Sequence, residues 1–212
     1  LGDEINRTSS KTQSALLEAM EERQITVDGR TYPLEKPFVV IATQNNVGTA
    51  GTQFLPYAQM DRFMVRLSVG YPDHDAQMAL LRDRLSENPL DAVEQVLTRE
   101  ELLAMQADVR AVQTGDALLD YITRLTMASR EHPNVEVGVS PRGALLLCRM
   151  AKARAYLLGR AFAVSEDVQA VFEPVCAHRL IVSAKARLAC VSAGDVVREL
   201  LADVPNPDRA AL

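Results

Sequence analysis

Apolar and polar residues repeat along this chain with two different periods. In "TSSKTQSALLEAMEERQ", Leu16, Ala19, Met20 and Arg23 recur at helical spacing, with an apolar start and a charged exit. Ser10 and Gln13 fit a capping box at its start. The period then drops to two. In "QITVDGRTYPL", Ile25 and Val27 alternate with polar residues, Asp28-Gly29 is a two-residue type I′ turn signal, and Thr31 and Tyr32 return, so a hairpin is predicted over 25–36. "FVVIAT", residues 38–43, is an unbroken β-branched run suited to a strand buried on both faces, as in a parallel sheet. It stops at Thr43-Gln44-Asn45-Asn46, and a Gly/Thr loop, "VGTAGTQ", follows. "MVRLSVG" alternates at Val65, Leu67 and Val69 and predicts another strand, and "YPDHDAQMALLRDRL" predicts a helix.

Beyond residues 88–98 the pattern turns helical throughout. "NPLDAVEQVLT" reads as a connector, and Thr98 with Glu101 forms a capping box before "ELLAMQADV". "DALLDYITRLTMASR" is amphipathic along Leu118, Leu119, Ile122, Leu125 and Ser129. "SPRGALLLCRMAKARAYLLG" is fully punctuated: Ser140 as N-cap, Pro141 at the first helical position and Gly159 as the stop. "SEDVQAVFEPVCAHRLIV" opens with Ser165 as N-cap and is kinked or divided by Pro174. "SAGDVVRELL" is a last short helix, and the two prolines of "DVPNPDRAAL" predict a frayed tail. No strand is predicted in this second half.

Composition narrows the class. Apolar residues make up 48% of the 212, enough for a sizeable core. No run approaches the ~20 apolar residues needed to span a bilayer. The net charge of −5 argues against general nucleic-acid binding. Cys148, Cys176 and Cys190 are odd in number and widely spaced, the usage of a cytoplasmic protein with reduced thiols. His74, His132 and His178 lack metal-ligand spacing.

Three places carry candidate chemistry. If Leu1-Gly2 ends a strand, Asp3 and Glu4 sit at the carboxyl edge of a parallel sheet, where ligands bind. Asn45 closes the next strand and emerges beside them. One carboxylate can hold Mg²⁺ through water, the second can activate a water, and the amide can place it; equally, an Asp-Glu pair can simply open a loop and Asn45 cap a turn. Arg142 lies in a helix's first turn, where a cation opposes the helix dipole by ~0.3–1 kcal/mol. A bound phosphate would account for it, and so would plain solvation. Arg62, in "LPYAQMDRFMVRL", is placed to reach across a subunit boundary or to pair locally with Asp61. No G-x-x-x-x-G-K-[ST] loop occurs: Lys11 precedes Thr12, but Ser10 stands where Gly is needed.

Taken in order, these motifs resemble the MoxR-type AAA+ ATPases, a branch of the helix-2-insert, pre-sensor-1-hairpin group. "DEINR" with "KTQSALLEAMEERQITVDG" is similar to the Walker B strand end and its helix, "FVVIATQN" to the sensor 1 strand, "GTQFLPYAQMDRF" to the arginine-finger segment and "GVSPRGALLL" to sensor 2. The residues from 159 to 180 are similar to the later lid helices. The resemblance implies an α/β fold: part of an αβα parallel-sheet core over 1–90 and a small all-α lid over 91–212. It implies ATP and Mg²⁺ as cofactors, with Asp3 on the metal side, Glu4, Asn45 and a neighbour's Arg62 as catalytic residues, and Arg142 on phosphate. ATP·Mg²⁺ would sit between core and lid at a subunit boundary. It further implies a cytoplasmic, chaperone-like homo-oligomer, a hexameric ring, often with a von Willebrand A-domain protein as partner. The chain begins within the Walker B segment, so a phosphate loop is expected upstream. Rival expectations are a nucleic-acid motor of the wider group, which the hairpin's Asp28 and Glu35 disfavour, and a non-hydrolysing scaffold. Two positions depart from the family pattern: Asn46 in place of Pro, and Tyr57 in place of Glu.

Overall fold

The computed structural model describes residues 1–45, 55–84 and 89–209. The Gly/Thr loop, and Asn46 with it, lie outside them. In chain order the elements are α1 (Ser10–Glu22), β1 (Gln24–Val27), β2 (Arg30–Pro33), α2 (Tyr57–Met60), α3 (His74–Arg84), α4 (Arg99–Ala111), α5 (Asp116–Glu131), β3 (Val135–Val137), α6 (Pro141–Leu157), α7 (Ser165–Cys176), β4 (Ile181–Val182), α8 (Ala184–Leu188) and α9 (Ala193–Asp203). None of the described helices is long and apolar enough to cross a membrane.

The hairpin forms as its turn chemistry demands. Val27 pairs with Arg30, and Asp28 and Gly29 both take positive φ, 49° and 73°, as a type I′ turn requires. Among the described residues of the first half the parallel sheet is reduced to one bridge: Gly2 lies beside Ala42, with Gly2 N–H donating to Ile41 O at 2.8 Å and Thr43 N–H to Gly2 O at 2.9 Å. Val39 and Ile41 therefore remain 62% exposed. The strand expected at residues 65–69 does not form. Arg66 N–H donates to Pro174 O at 2.9 Å instead of to a strand, and Leu67 and Val69 stand in water. Alternation alone supplies no ladder partner.

The second half packs as helices on one core. Tyr121, Leu125, Leu147, Val168 and Phe172 are fully buried among α5, α6, α7 and α9. Removal of each such side chain from water contributes roughly 1.5–3 kcal/mol. β3 and β4 add a two-residue antiparallel ladder that hydrophobic periodicity cannot reveal at that length. Several helix starts are capped as read: Thr98 and Glu101 close a capping box on α4, and Ser140 caps α6, with Pro141 at its first position. Others shift by one residue. Ser9, not Ser10, accepts from Thr12 N–H at 3.2 Å. Ser165 is inside α7, where its side chain is turned to Asp208; the Asp167 carboxylate instead accepts from Val164 N–H at 2.9 Å. The Ser165–Asp208 contact also ties down the tail expected to fray as far as it is described, since Asp208 accepts from Ser165 and Val204 is buried; residues 210–212 lie outside the described residues.

Candidate functional site

The Gly2–Ala42 bridge fixes which residues meet at the sheet edge. Asp3 and Glu4 leave one strand end as Thr43 and Asn45 leave its neighbour. Thr43 Oγ1 donates to Asp3 Oδ1 at 2.5 Å and accepts from Glu4 N–H at 2.9 Å. Asn45 Nδ2 lies 3.4 Å from Glu4 Oε1, a long hydrogen bond between residues distant in sequence. Arg7 Nη1 holds the other oxygen of Glu4 at 2.6 Å. Buried Asn6 donates to Asn45 O at 3.2 Å. Glu4 itself sits in the left-handed region, φ 46° and ψ 50°. A non-glycine residue there costs of order 1–3 kcal/mol and persists where its surroundings over-determine it, commonly at functional sites.

Arg62 and Arg142 form a second group. Both pair with Glu21: Arg62 Nη1 lies 2.6 Å from Oε2, and Arg142 Nη2 binds Oε1. Glu21 is in the last turn of α1, while the first turn adjoins the acid pair, since Gln13 Nε2 donates to Ile5 O at 3.2 Å. From Ser10 to Glu21 the helix rises about 16 Å at 1.5 Å per residue. Asp3, Glu4 and Asn45 thus gather at one end of α1, and the two arginines at the other. The two guanidinia thus share one carboxylate, Glu21, between them.

A buried polar knot lies beneath the arginines. Asp61, next to Arg62, accepts from the Ser140 hydroxyl, which lies 3.0 and 2.9 Å from its two oxygens, and from Arg179 Nε at 2.9 Å. Arg179 is fully buried. Tyr57 donates its hydroxyl to Gly138 O at 3.3 Å, so the aromatic ring ties α2 to the turn before α6. Burial, followed by the nearby Asp61 charge, raises the Tyr57 phenol above its ordinary value. His178 is shifted the other way. Burial first and the Arg179 charge second lower it to about 4, so the ring is neutral. Its Nε2 lies 2.8 Å from Arg179 Nη1, from which it accepts in one tautomer, and 3.2 Å from Phe63 O, to which it donates in the other.

Sequence reasoning had no hold on Glu21, Asp61 or Arg179 as site residues. Glu21 sits among the charged residues that end a helix, and Arg179 sits in a short apolar-flanked turn, "AHRL". A buried Arg is rare enough that only its three-dimensional partners reveal it.

The carboxylates present fit a divalent cation that keeps most of its waters. Mg²⁺ keeps several waters and takes one or two carboxylates plus phosphate oxygens, so exposed Asp3 suffices without a protein cage. Among the described residues no cluster of three or more His, Cys, Asp or Glu could hold a metal by itself.

Comparison with known proteins bears on the fold and the family. Residues 1–65 match the ATPase family associated with various cellular activities (AAA), and residues 127–200 match the AAA lid domain. The chain is 41% identical over 207 residues to the uncharacterized protein YeaC of Bacillus subtilis, covering 98% of this chain and 65% of that protein. It is 36% identical over 216 residues to the chaperone MoxR1 of Mycobacterium tuberculosis, covering 98% of this chain and 57% of MoxR1. A solved protein of Cytophaga hutchinsonii, described as a "putative ATPase", superposes with a TM-score of 0.90 at 34% identity, over 97% of this chain and 65% of that one. The chain therefore spans roughly three fifths to two thirds of the relatives it matches.

Proposed function

The chain belongs to the MoxR-type AAA+ ATPases, and from that premise we propose that it supplies the hydrolytic edge and the lid of an ATP-driven, chaperone-like remodelling machine. The observation that carries this reading is the 3.4 Å approach of Asn45 to Glu4 at one sheet edge. Residues 1–90 act as the part of the core that bears Asp3, Glu4, Asn45 and Arg62, and 91–212 as the lid that bears Arg142.

Each residue has a chemical role. Asp3 would hold Mg²⁺ through water. The ion, when bound, neutralises charge on the phosphates. Glu4 orients a water and takes its proton, and Asn45 shares the placing of that water through its amide. Arg62 and Arg142 act as a pair rather than singly. Their separation from Glu4 along α1 favours their serving the nucleotide of a neighbouring copy, so that each subunit boundary joins the acid edge of one chain to the arginine pair of the next. Such guanidinia offset charge that develops on the transferring phosphoryl group. Head-to-tail boundaries of this kind form a ring where the rotation closes, and in this reading the ring is hexameric and the protein cytoplasmic. A von Willebrand A-domain protein is the partner class the family suggests.

Mixed rings of the intact protein test it. Glu4→Gln should keep ATP binding and lose turnover. Arg62→Ala should lose on the order of 10³-fold or more in turnover. Mixing the two inactive variants should recover part of the activity, because some boundaries then pair an intact Glu4 with an intact Arg62. No recovery on mixing would remove the across-boundary assignment, and unchanged turnover in Glu4→Gln would remove Glu4.

A further inference from the structure

We infer that Arg179 is a positioning residue that welds the Arg62 segment to the Arg142 helix, so that the two guanidinia present themselves as one anion clamp. The inference rests on the pairing of these arginines proposed above. Arg179 spends every donor inside the protein. Nε donates to Asp61 Oδ1 at 2.9 Å, and Nη2 to Asp61 O at 2.9 Å and Phe63 O at 2.5 Å. Nη1 donates to Val175 O and has His178 Nε2 at 2.8 Å and Met64 O at 3.4 Å as its further partners. Five donors are the full complement of a guanidinium, so none remains for a ligand. Three of them hold residues 61 and 63, the two immediate neighbours of Arg62.

The other half of the weld is at α6. Ser140 uses one hydroxyl twice: it accepts from Gly143 N–H at 3.0 Å as N-cap and donates to the Asp61 carboxylate. Asp61 is thus joined to the residue that begins the turn carrying Arg142. Gly143, immediately after Arg142, lets the Arg179 stem pass beneath that turn. A Cβ at Gly143 would stand 2.7 Å from Val139 Cγ1 and 2.8 Å from Arg179 Cδ, closer than side chains tolerate. A lysine could not replace this arrangement, since one ammonium cannot fork between a carboxylate and several carbonyls. The consequence is geometric. Arg62 and Arg142 lie on segments far apart in sequence, yet both reach Glu21 because the buried knot fixes one segment against the other. Small misplacements of catalytic groups can cost on the order of 10²-fold in rate.

The test separates welding from capping. Asp is as good an N-cap as Ser. Ser140→Asp in the intact protein therefore keeps the cap but sets a carboxylate against Asp61 in place of a donor. Ser140→Thr keeps both functions. With ATP and Mg²⁺, Ser140→Asp should lower kcat on the order of tenfold or more while the Kd for ATP stays within about twofold, and Ser140→Thr should turn over within about twofold of wild type. Gly143→Ala, which leaves all hydrogen-bonding groups in place, should reproduce the kcat loss. In a variant lacking both arginines, Ser140→Asp should cause no further loss. Wild-type kcat in both Ser140→Asp and Gly143→Ala, or an equal loss with and without the arginines, overturns the inference while leaving the arginines' own role standing. Full turnover in Arg62→Ala and Arg142→Ala would instead bring down the underlying reading and this inference with it.

Discussion

Residues 112–204 bury Tyr121, Leu125, Leu147 and Phe172 completely, whereas residues 38–71 leave Val39, Ile41, Leu67, Val69 and Tyr71 largely in water. Both stretches are rich in apolar side chains, so hydrophobicity does not separate them. Backbone pairing does. A helix closes its hydrogen bonds within itself and needs a neighbour only for its apolar face. A strand must find its bonds in another segment, and the run at 38–43 finds one short neighbour at Gly2. The closely packed helices of 112–204 therefore carry the stability, and the sparsely paired strand ends of the first half carry the acid edge. The largest effect to expect follows from this. Phe172→Ala should cost about 3–5 kcal/mol in denaturant unfolding. Val69→Ala, at 99% exposure, should stay within about 0.5 kcal/mol. Comparable losses from the two would break the contrast.

The next effect lies at the seam between the halves. His178 is buried against the Phe63 carbonyl, with Arg179, Arg66 and Asp61 as the charges around it, and is lowered from 6.5 to about 4. The unfolded chain takes up a proton in that interval and the folded one does not. Stability is therefore complete above about pH 6.5 and falls as pH drops toward 4. The full loss amounts to about 3 kcal/mol, at 1.36 kcal/mol per pKa unit. His178→Gln should flatten the slope of denaturation midpoint against pH over that window. An undiminished slope would assign it to other groups.

The same contrast explains what could be read in advance. Local signals were legible: the Asp28-Gly29 turn, the Thr98 and Ser140 caps and the Gly159 stop all depend on a few adjacent residues. The meeting of Glu4 with Asn45 was also legible, because parallel neighbours expose their ends on one edge. What escaped depends on partners remote in sequence. The 65–69 alternation looked like a strand, but whether it pairs is decided by residues elsewhere. Glu21 looks like any charge at a helix end until two arginines converge on it. Arg179 gives no local signal, because burial of a guanidinium requires Asp61 and the carbonyls of residues 61 and 63 to be brought to it from a segment more than a hundred residues away.

The smallest effect sharpens the comparison at single residues. Glu4 and Arg23 both occupy the left-handed region, at φ 46° and 53°. That conformation costs an L-residue roughly 1–2 kcal/mol, and glycine relieves it while giving back roughly 0.5–1 in chain entropy. Either substitution by Gly should then raise stability by about 0.5 kcal/mol. The reasons for the strain differ. Arg23 ends α1, where a left-handed residue is ordinary helix termination, so Arg23→Gly should gain stability with turnover intact. Glu4 turns the chain at the acid edge and aims its carboxylate at Asn45, so Glu4→Gly should gain the same stability and lose turnover. Unfolding curves beside ATPase rates decide between them. A Glu4→Gly chain less stable than wild type would mean that the carboxylate's bonds to Arg7 and Asn45 hold the edge together, and that the strain at Glu4 serves the fold rather than the chemistry.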